Sequence, residues 1–287
     1  MLQKFKIFLE MIKFEHSIFA LPFAYLGLFL GAKGFPSLRV FFWVTTAMVS
    51  FRTLGMGLNR LIDHSIDARN PRTTQRALPS QKLTRQYVWI WAFMSFLIFE
   101  GSAYALGPLC FALTPIPVFL AVLYPFMKRF SWLSHFVLGS ILGIAPYGAW
   151  LAAYPHFSWI PGLITLGVLF WVAGFDMIYA LQDESFDRSS GLYSVPAKFG
   201  KDPSLLLTRL LHLLTMILWS AAGWLYGLGW IYFAGLFLAA VFLIREHWLV
   251  QSFGLEKIEE AFLKMNAVVS IALFVAAFLN LTWMRIS

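Results

Sequence analysis

Charged residues and cysteine are both scarce in this sequence of 287 residues. Only 13% of the residues are charged, whereas 60% are hydrophobic, and the mean hydropathy is +0.72. A soluble domain carries about twice that charged fraction, so the composition excludes an ordinary soluble protein. It predicts an all-α polytopic membrane protein instead. The one cysteine, Cys110, excludes an intrachain disulfide.

Motifs typical of soluble enzymes are missing as well. The sequence contains no Walker loop, no Gly-x-Gly-x-x-Gly segment and no Ser-His-Asp or Cys-His arrangement. Its histidines at 16, 64, 135 and 212 are scattered and do not suggest a metal site. The net charge of +8 comes from basic residues in loops on one side of the predicted membrane domain, so we expect no nucleic-acid partner.

Long apolar runs dominate what is present, and they predict about nine membrane spans of close to ~20 residues each. The spans cover residues 15–32, 40–61, 86–106, 109–127, 132–154, 158–182, 204–226, 228–248 and 263–284. The positive-inside rule places the amino terminus and the long loops 68–85 and 184–203 in the cytoplasm. We interpret residues 1–287 as a single domain, built as two parallel four-helix halves plus a ninth helix.

Two acidic stretches end apolar runs on the predicted cytoplasmic side. If the helix continues, the first carries three side chains at successive i, i+4 positions on one face: Asn59, Asp63 and Asp67. The second carries a similar set: Asp176, Tyr179, Asp183 and Asp187. Carboxylate oxygens suit Mg²⁺, which commonly bridges protein carboxylates to substrate phosphates. The two stretches therefore predict a site for Mg²⁺ and a diphosphate, with these catalytic and metal-binding residues: Asn59, Asp63, Asp67, Asp183 and Asp187.

Two basic residues lie just beyond the first acidic stretch, and two more end the fourth span. All four are candidates for binding the diphosphate or a substrate carboxylate: Arg72, Arg76, Lys128 and Arg129. Arg52 is different because it lies inside the second span, where a charge costs roughly 2.5–3.5 kcal/mol. It needs a partner or a polar cavity, so we predict that it lines the substrate pocket. Glu100 is the other ionisable residue within a span, and it lies away from both acidic stretches.

The motif Asn59-x-x-x-Asp63-x-x-x-Asp67 and the later Asp183-x-x-x-Asp187 resemble the paired motifs of the UbiA family of intramembrane prenyltransferases. Asp176 and Tyr179 precede the second motif, as in family members of the quinone pathways. The Tyr-Pro-Phe-Met-Lys-Arg run at 124–129 and the Asn-Pro-Arg-Thr run that starts at 70 resemble the 4-hydroxybenzoate polyprenyltransferases of that family. The resemblance covers the whole chain, including the number of spans.

This resemblance implies a bundle of about nine helices around a central cavity that opens to membrane lipid. It implies an Mg²⁺-dependent enzyme of the bacterial cytoplasmic (inner) membrane that works in respiratory-quinone biosynthesis. Such an enzyme transfers a polyprenyl group from a polyprenyl diphosphate to the ring of an aromatic hydroxy-carboxylate, most simply 4-hydroxybenzoate on the ubiquinone pathway. The acceptor pocket would then include four residues: Arg52, Tyr124, Asp176 and Tyr179.

Three alternatives stay open at this point. The Phe-Glu-His-Ser segment at 14–17 and the Gly-Ile-Ala-Pro segment at 143–146 resemble a branch that serves menaquinone synthesis through futalosine, where the acceptor is 1,4-dihydroxy-6-naphthoate. Within the family, a haem, chlorin or glycerol-phosphate acceptor is also conceivable, although the run at 124–129 argues against it. A secondary transporter of an anionic solute would also have many spans, but transporters tend to place ionisable groups near mid-membrane.

Overall fold

The computed structural model describes residues 2–13 and 17–286. His16 and most of the 14–17 segment compared above therefore lie outside the described residues. All regular secondary structure within the described residues is helical, which confirms the all-α prediction.

The α-helices of the described residues are, in chain order, α1 (Leu2–Met11), α2 (Ser17–Gly31), α3 (Leu38–Ile62), α4 (His64–Asp67), α5 (Arg85–Leu106), α6 (Pro108–Leu113), α7 (Pro115–Met127), α8 (Ser134–Ala153), α9 (Trp159–Ala180), α10 (Glu184–Ser189), α11 (Val195–Phe199), α12 (Lys201–Tyr226), α13 (Trp230–Phe253), α14 (Ile258–Glu260) and α15 (Asn266–Ile286). Short 3₁₀ turns cover Leu181–Asp183 and Gly254–Lys257, and a π-helical turn covers Ala261–Met265.

Several helical stretches are long and apolar enough to cross a bilayer. Within the described ranges there are six: Arg85–Leu106, Pro108–Met127, Ser134–Ala153, Trp159–Ser189, Lys201–Tyr226 and Trp230–Trp283. The last stretch contains both α13 and α15, α2 is apolar but shorter, and α3 is long enough but includes Arg52. The described residues thus support a polytopic membrane fold, and a total of nine crossings remains a prediction.

Glycines let α8 and α9 approach closely. A Cβ atom added at Gly139 would lie 2.3 Å from the backbone oxygen of Leu169, and one at Gly143 would lie 2.8 Å from that of Thr165. Small residues at such an interface allow two helix backbones to make extensive van der Waals contact within a membrane. The close approach brings together the helices that carry His135 and Asp176.

Helix α1 packs against the loop that follows the first acidic stretch. Phe8 and Ile12 are almost fully buried and belong to a cluster with Leu61 and Leu78. The ring of Phe8 also stacks on Trp91, with 5.5 Å between the ring centroids. This packing holds the amino-terminal helix and the 68–84 loop at the same end of the bundle.

Candidate active site

One large cavity of about 1150 Å³ lies inside the helix bundle. Both acidic stretches face its polar end, whereas its walls elsewhere are largely apolar and include Met48, Phe51, Leu142 and Phe175. The cavity extends along α9, from Thr165 to the end of the helix. The helix rises about 22 Å between Thr165 and Ala180, at 1.5 Å per residue. The cavity therefore suits an elongated ligand with a charged head and an apolar tail.

The helix of the first acidic stretch does not continue as expected, because α3 ends at Ile62 and Asp63 caps it with φ −86° and ψ 1°. Arg129 donates through Nη2 to the Ile62 carbonyl at 2.9 Å, and the Ile66 amide donates to the Asp63 carbonyl instead, also at 2.9 Å. The condition of a continuous helix to Asp67 is therefore not met. The i, i+4 backbone bonds at Asp63 and Asp67 are nonetheless kept, at 2.9 and 2.8 Å.

Asp63 is a buried carboxylate with three polar neighbours. Lys128 Nζ lies 2.7 Å from its Oδ2 atom, and Arg129 Nη2 lies 3.5 Å from its Oδ1 atom. The side-chain amide of Asn59 donates to Oδ2 at 3.2 Å. Burial raises the pKa of Asp63 above its ordinary value, and the ammonium group of Lys128 opposes that shift.

Asp67 is also buried and binds a different cation. Arg76 Nη1 contacts its Oδ1 atom at 2.8 Å, and Arg60 Nη1 lies 3.9 Å from its Oδ2 atom. The hydroxyl of Thr73 donates to its backbone carbonyl at 2.9 Å. The loop after the first acidic stretch thus folds back and supplies the counter-charge for that stretch.

Asp183 joins the two acidic stretches, because its partners come from the loop that follows the first one. Arg72 binds both oxygens of Asp183, with Nε at 2.9 Å from Oδ1 and Nη2 in contact with Oδ2. The Asn70 amide donates to Oδ1 at 2.8 Å. The hydrogen bonds and charge of Asp183 raise the pKa of Arg72, although burial of the guanidinium acts in the opposite direction.

Tyr179 shares the same arginine. Arg72 Nη1 donates to the Tyr179 hydroxyl at 3.2 Å, and its guanidinium lies 5.3 Å from the centre of the ring. The Tyr179 ring also packs against Phe262, with ring centroids 4.6 Å apart. Asp187 is half-buried and lies near Ser194, and no ion pair among the described residues includes it.

Twelve of the thirteen predicted site residues line the cavity: Arg52, Asn59, Asp63, Asp67, Arg72, Arg76, Tyr124, Lys128, Asp176, Tyr179, Asp183 and Asp187. Arg129 is the thirteenth and is not part of the lining; it donates to the carbonyls of Ile62 and Pro125, at 2.9 and 2.7 Å. Arg52 lines the wall and donates to the Lys13 carbonyl at 2.9 Å.

Sequence reasoning missed some residues of the site. Asn70 binds Asp183, and only its place in the Asn-Pro-Arg-Thr run pointed to it. His135 was counted among scattered histidines, yet its Nδ1 atom lies 2.7 Å from Asp176 Oδ2. Arg60, which was not among the candidates, lies with its Nη1 atom 3.9 Å from Asp67 Oδ2. Glu100, for which the sequence suggested no role, accepts a hydrogen bond from Thr114 Oγ1 at 2.9 Å and lies outside the cavity lining.

The chemistry of the acidic end fits a divalent cation. Asp63 Oδ1 and Asp67 Oδ2 are buried and accept no hydrogen bond, although guanidinium nitrogens of Arg129 and Arg60 lie 3.5 and 3.9 Å from them. Buried anionic oxygens without hydrogen-bond donors favour a bound cation. Within the described residues, no three His, Cys, Asp or Glu side chains converge on one metal position. Mg²⁺ is usually held by one or two carboxylates together with substrate phosphates and water, so the motif aspartates suit it.

Comparison with known sequences gives a consistent picture. Residues 20–282 match the UbiA prenyltransferase family. A 4-hydroxybenzoate octaprenyltransferase of Haemophilus ducreyi is 32% identical over 84% of this chain and 86% of its own length. The protein of the same name from Vibrio vulnificus is 31% identical over 87% of this chain and 89% of its own length.

Solved structures agree with the sequence comparison. A UbiA homologue from Aeropyrum pernix K1, solved in its apo form, superposes with a TM-score of 0.85 at 33% identity, over 93% of this chain and 98% of its own. A UbiA homologue from Archaeoglobus fulgidus, solved with GPP and Mg²⁺, superposes with a TM-score of 0.73 over 95% of this chain and 99% of its own. At 17% identity this second likeness concerns the fold alone.

Proposed function

Because this chain belongs to the UbiA prenyltransferase family, as its motifs indicated, we propose that it prenylates the ring of an aromatic hydroxy-carboxylate. It is an integral membrane prenyltransferase. The donor in this proposal is a polyprenyl diphosphate, the metal is Mg²⁺ and the product is a precursor of a respiratory quinone. The proposed place is the bacterial cytoplasmic membrane, with the amino terminus and the acidic loops in the cytoplasm.

One observation carries the proposal: the two acidic stretches meet at one end of one cavity. Asn70 and Arg72 follow the first stretch, and both bind Asp183 of the second stretch. All four motif aspartates line the same cavity, together with three cationic side chains: Arg72, Arg76 and Lys128. An apolar wall extends away from that end, as a polyprenyl tail requires.

The cations at the polar end suit the diphosphate as well as the aspartates. In the structure Lys128, Arg76 and Arg72 bind Asp63, Asp67 and Asp183 in turn. Arginine forks and lysine ammonium groups also bind phosphate oxygens through charge-assisted hydrogen bonds. Mg²⁺ bound to the aspartates would neutralise charge that develops on the leaving diphosphate. The three cations would then be free to turn toward the phosphates, while Arg129 keeps Asp63 and the end of α3 in place.

The transfer itself is an electrophilic substitution on the aromatic ring. The bond between prenyl C1 and the diphosphate oxygen breaks, and its electron pair leaves with the diphosphate. A ring carbon next to the hydroxyl group then bonds to prenyl C1, and the proton on that carbon is lost to restore aromaticity. Aromatic side chains of the cavity, such as Tyr124, Phe175 and Tyr179, can stabilise the allylic cation by about 0.5–2 kcal/mol per ring.

We propose 4-hydroxybenzoate as the acceptor, because curated relatives that cover most of the chain are 4-hydroxybenzoate octaprenyltransferases. The acceptor carboxylate would pair with a cation of the cavity wall, and Arg52 is the candidate away from the aspartates. The competing acceptor is 1,4-dihydroxy-6-naphthoate, which the 143–146 segment favours; Ile144 and Ala145 of that segment line the cavity.

A direct competition assay tests this assignment. Purified protein in lipid receives Mg²⁺, radiolabelled polyprenyl diphosphate and equal amounts of the two acceptors, with Asp67→Asn protein as the matched control. We expect label on 4-hydroxybenzoate with the wild-type protein and about a hundredfold less with the control. Label on the naphthoate would show that 1,4-dihydroxy-6-naphthoate is the acceptor, and label on neither compound would contradict the proposed function.

A further inference from the structure

His135 connects two parts of the cavity wall. It is the second residue of α8, and only 3% of its surface is exposed. Its Nδ1 atom lies 2.7 Å from Oδ2 of Asp176 on α9. Its Nε2 atom lies 3.3 Å from the backbone nitrogen of Val195 at the start of α11. The imidazole therefore makes one contact at each ring nitrogen.

These two contacts fix the position of the imidazole proton. The Val195 amide is a donor, so Nε2 must accept and carries no hydrogen. The single proton of the neutral ring is then at Nδ1 and is donated to Asp176. Protonation of Nε2 would place two donors against each other and break the contact with Val195. His135 is thus a hydrogen-bond donor to Asp176 through Nδ1.

Asp176 has no cationic partner among the described residues, in contrast to Asp63, Asp67 and Asp183. Its one ion-pair contact in that part of the chain is with His135, and 18% of its side chain is exposed. No hydrogen bond from the described residues reaches its Oδ1 atom. Since Asp176 lines the cavity, this oxygen is available to a donor group of a ligand.

The position of Asp176 indicates which ligand it would meet. It precedes Asp183 by seven residues along α9 and the turn that follows it, so it lies about 10 Å from the diphosphate end toward the membrane interior. A ligand group at that depth belongs to the prenyl chain or to the acceptor ring. A prenyl chain has no hydrogen-bond donor, whereas the acceptor has a ring hydroxyl.

We propose that His135 is a positioning residue, which orients Asp176 so that its free oxygen accepts the hydrogen bond of the acceptor's ring hydroxyl. This inference rests on the proposed function. The hydrogen bond makes the ring more electron-rich and points the carbon next to the hydroxyl group toward prenyl C1. Through Val195, His135 also anchors the segment that carries Ser194, which lies near Asp187.

Three substitutions test this role through the two Michaelis constants. His135→Leu removes both contacts, and we expect the acceptor KM to rise at least about tenfold while the KM for polyprenyl diphosphate stays within about twofold. His135→Gln has a donor and an acceptor at its amide, so we expect the acceptor KM to return to within about threefold of wild type. Asp176→Asn should resemble His135→Leu, because its amide no longer offers a charged acceptor.

The outcomes separate this inference from the proposed function. Two results for His135→Leu would overturn the positioning role, even though the wild-type protein prenylates its acceptor: an equal rise in both Michaelis constants, or an unchanged acceptor KM. If His135→Leu shows no cooperative melting, the other two variants decide: a wild-type acceptor KM for Asp176→Asn overturns the role. A wild-type protein that prenylates neither acceptor contradicts the proposed function itself.

Discussion

The first aspartate pair (Asp63 and Asp67) and the second pair (Asp183 and Asp187) reach the same cavity in different states. Asp63 and Asp67 are 3% and 5% exposed, and each contacts a cation within 2.8 Å. The second pair is half-buried, and among the described residues only Asp183 of that pair takes part in an ion pair. The two pairs have the same spacing in the sequence, but they differ in burial and in ion pairing.

This difference indicates what each pair contributes to ligand binding. The first pair must exchange its cations for Mg²⁺, because Lys128 and Arg76 now occupy one oxygen of each carboxylate. Asp187 requires no such exchange and is the carboxylate most readily available to an incoming ion. We therefore expect both pairs to be needed for turnover. Only the aspartates that form ion pairs, which are Asp63, Asp67 and Asp183, should contribute to the stability of the ligand-free protein.

The largest effect should come from the buried pair. Asp63→Asn removes a negative charge that both Mg²⁺ and Lys128 require, and we expect kcat to fall about a hundredfold or more. Asp202→Asn, an exposed change in the first turn of α12, is the matched control and should stay within about twofold. The measurement is prenyl transfer at saturating Mg²⁺ and both substrates. Substantial activity in Asp63→Asn protein would remove this pair from catalysis.

The second pair offers a way to separate catalysis from stability. Asp183→Asn weakens the contact with Arg72 and should cost about 1–3 kcal/mol of unfolding free energy as well as activity. Asp187→Asn should lower kcat by about the same factor as Asp183→Asn, but it should cost less than about 0.5 kcal/mol of unfolding free energy. Thermal unfolding and prenyl transfer of both variants check this contrast. Glu184→Gln, which changes an exposed ion pair with Arg188, is the control and should leave both quantities near wild type. Equal destabilisation by the two aspartate changes would erase the distinction.

A smaller effect is expected where the two pairs are connected. Arg72→Lys keeps the charge but loses the fork that binds both Asp183 oxygens and the bond to Tyr179. We expect kcat/KM for the diphosphate substrate to fall about tenfold. Arg69→Lys changes an exposed arginine of the same loop, outside the cavity lining, and serves as the control. Identical kinetics for the two variants would show that the fork is dispensable.

Local patterns in the sequence predicted much of this site. Apolar runs gave the helical membrane class, and the acidic stretches, the basic candidates and the family resemblance together gave twelve of the residues that line the cavity. What spacing cannot supply is contact between distant segments. The bond from Arg129 to the Ile62 carbonyl joins residues 67 positions apart, and it ends α3 where periodicity alone predicts a continuous helix.

The same reason explains why His135 and Asn70 were missed. His135 and Asp176 are 41 positions apart, and Asn70 and Asp183 are 113 positions apart. His135 belongs to no local motif, and the Asn-Pro-Arg-Thr run did not indicate a partner for Asn70. The close packing of α8 on α9 and the return of the 68–84 loop bring these partners together, and both depend on tertiary structure.

Binding of a non-reactive polyprenyl diphosphate analogue to the purified protein tests the central claim most directly. The account predicts that binding requires Mg²⁺, is abolished by EDTA and restored by added Mg²⁺. It also predicts that Kd rises at least about tenfold in both Asp63→Asn and Asp183→Asn protein. Binding that is indifferent to EDTA, or that is weakened by a change in one pair and untouched by a change in the other, would contradict a shared magnesium-diphosphate site.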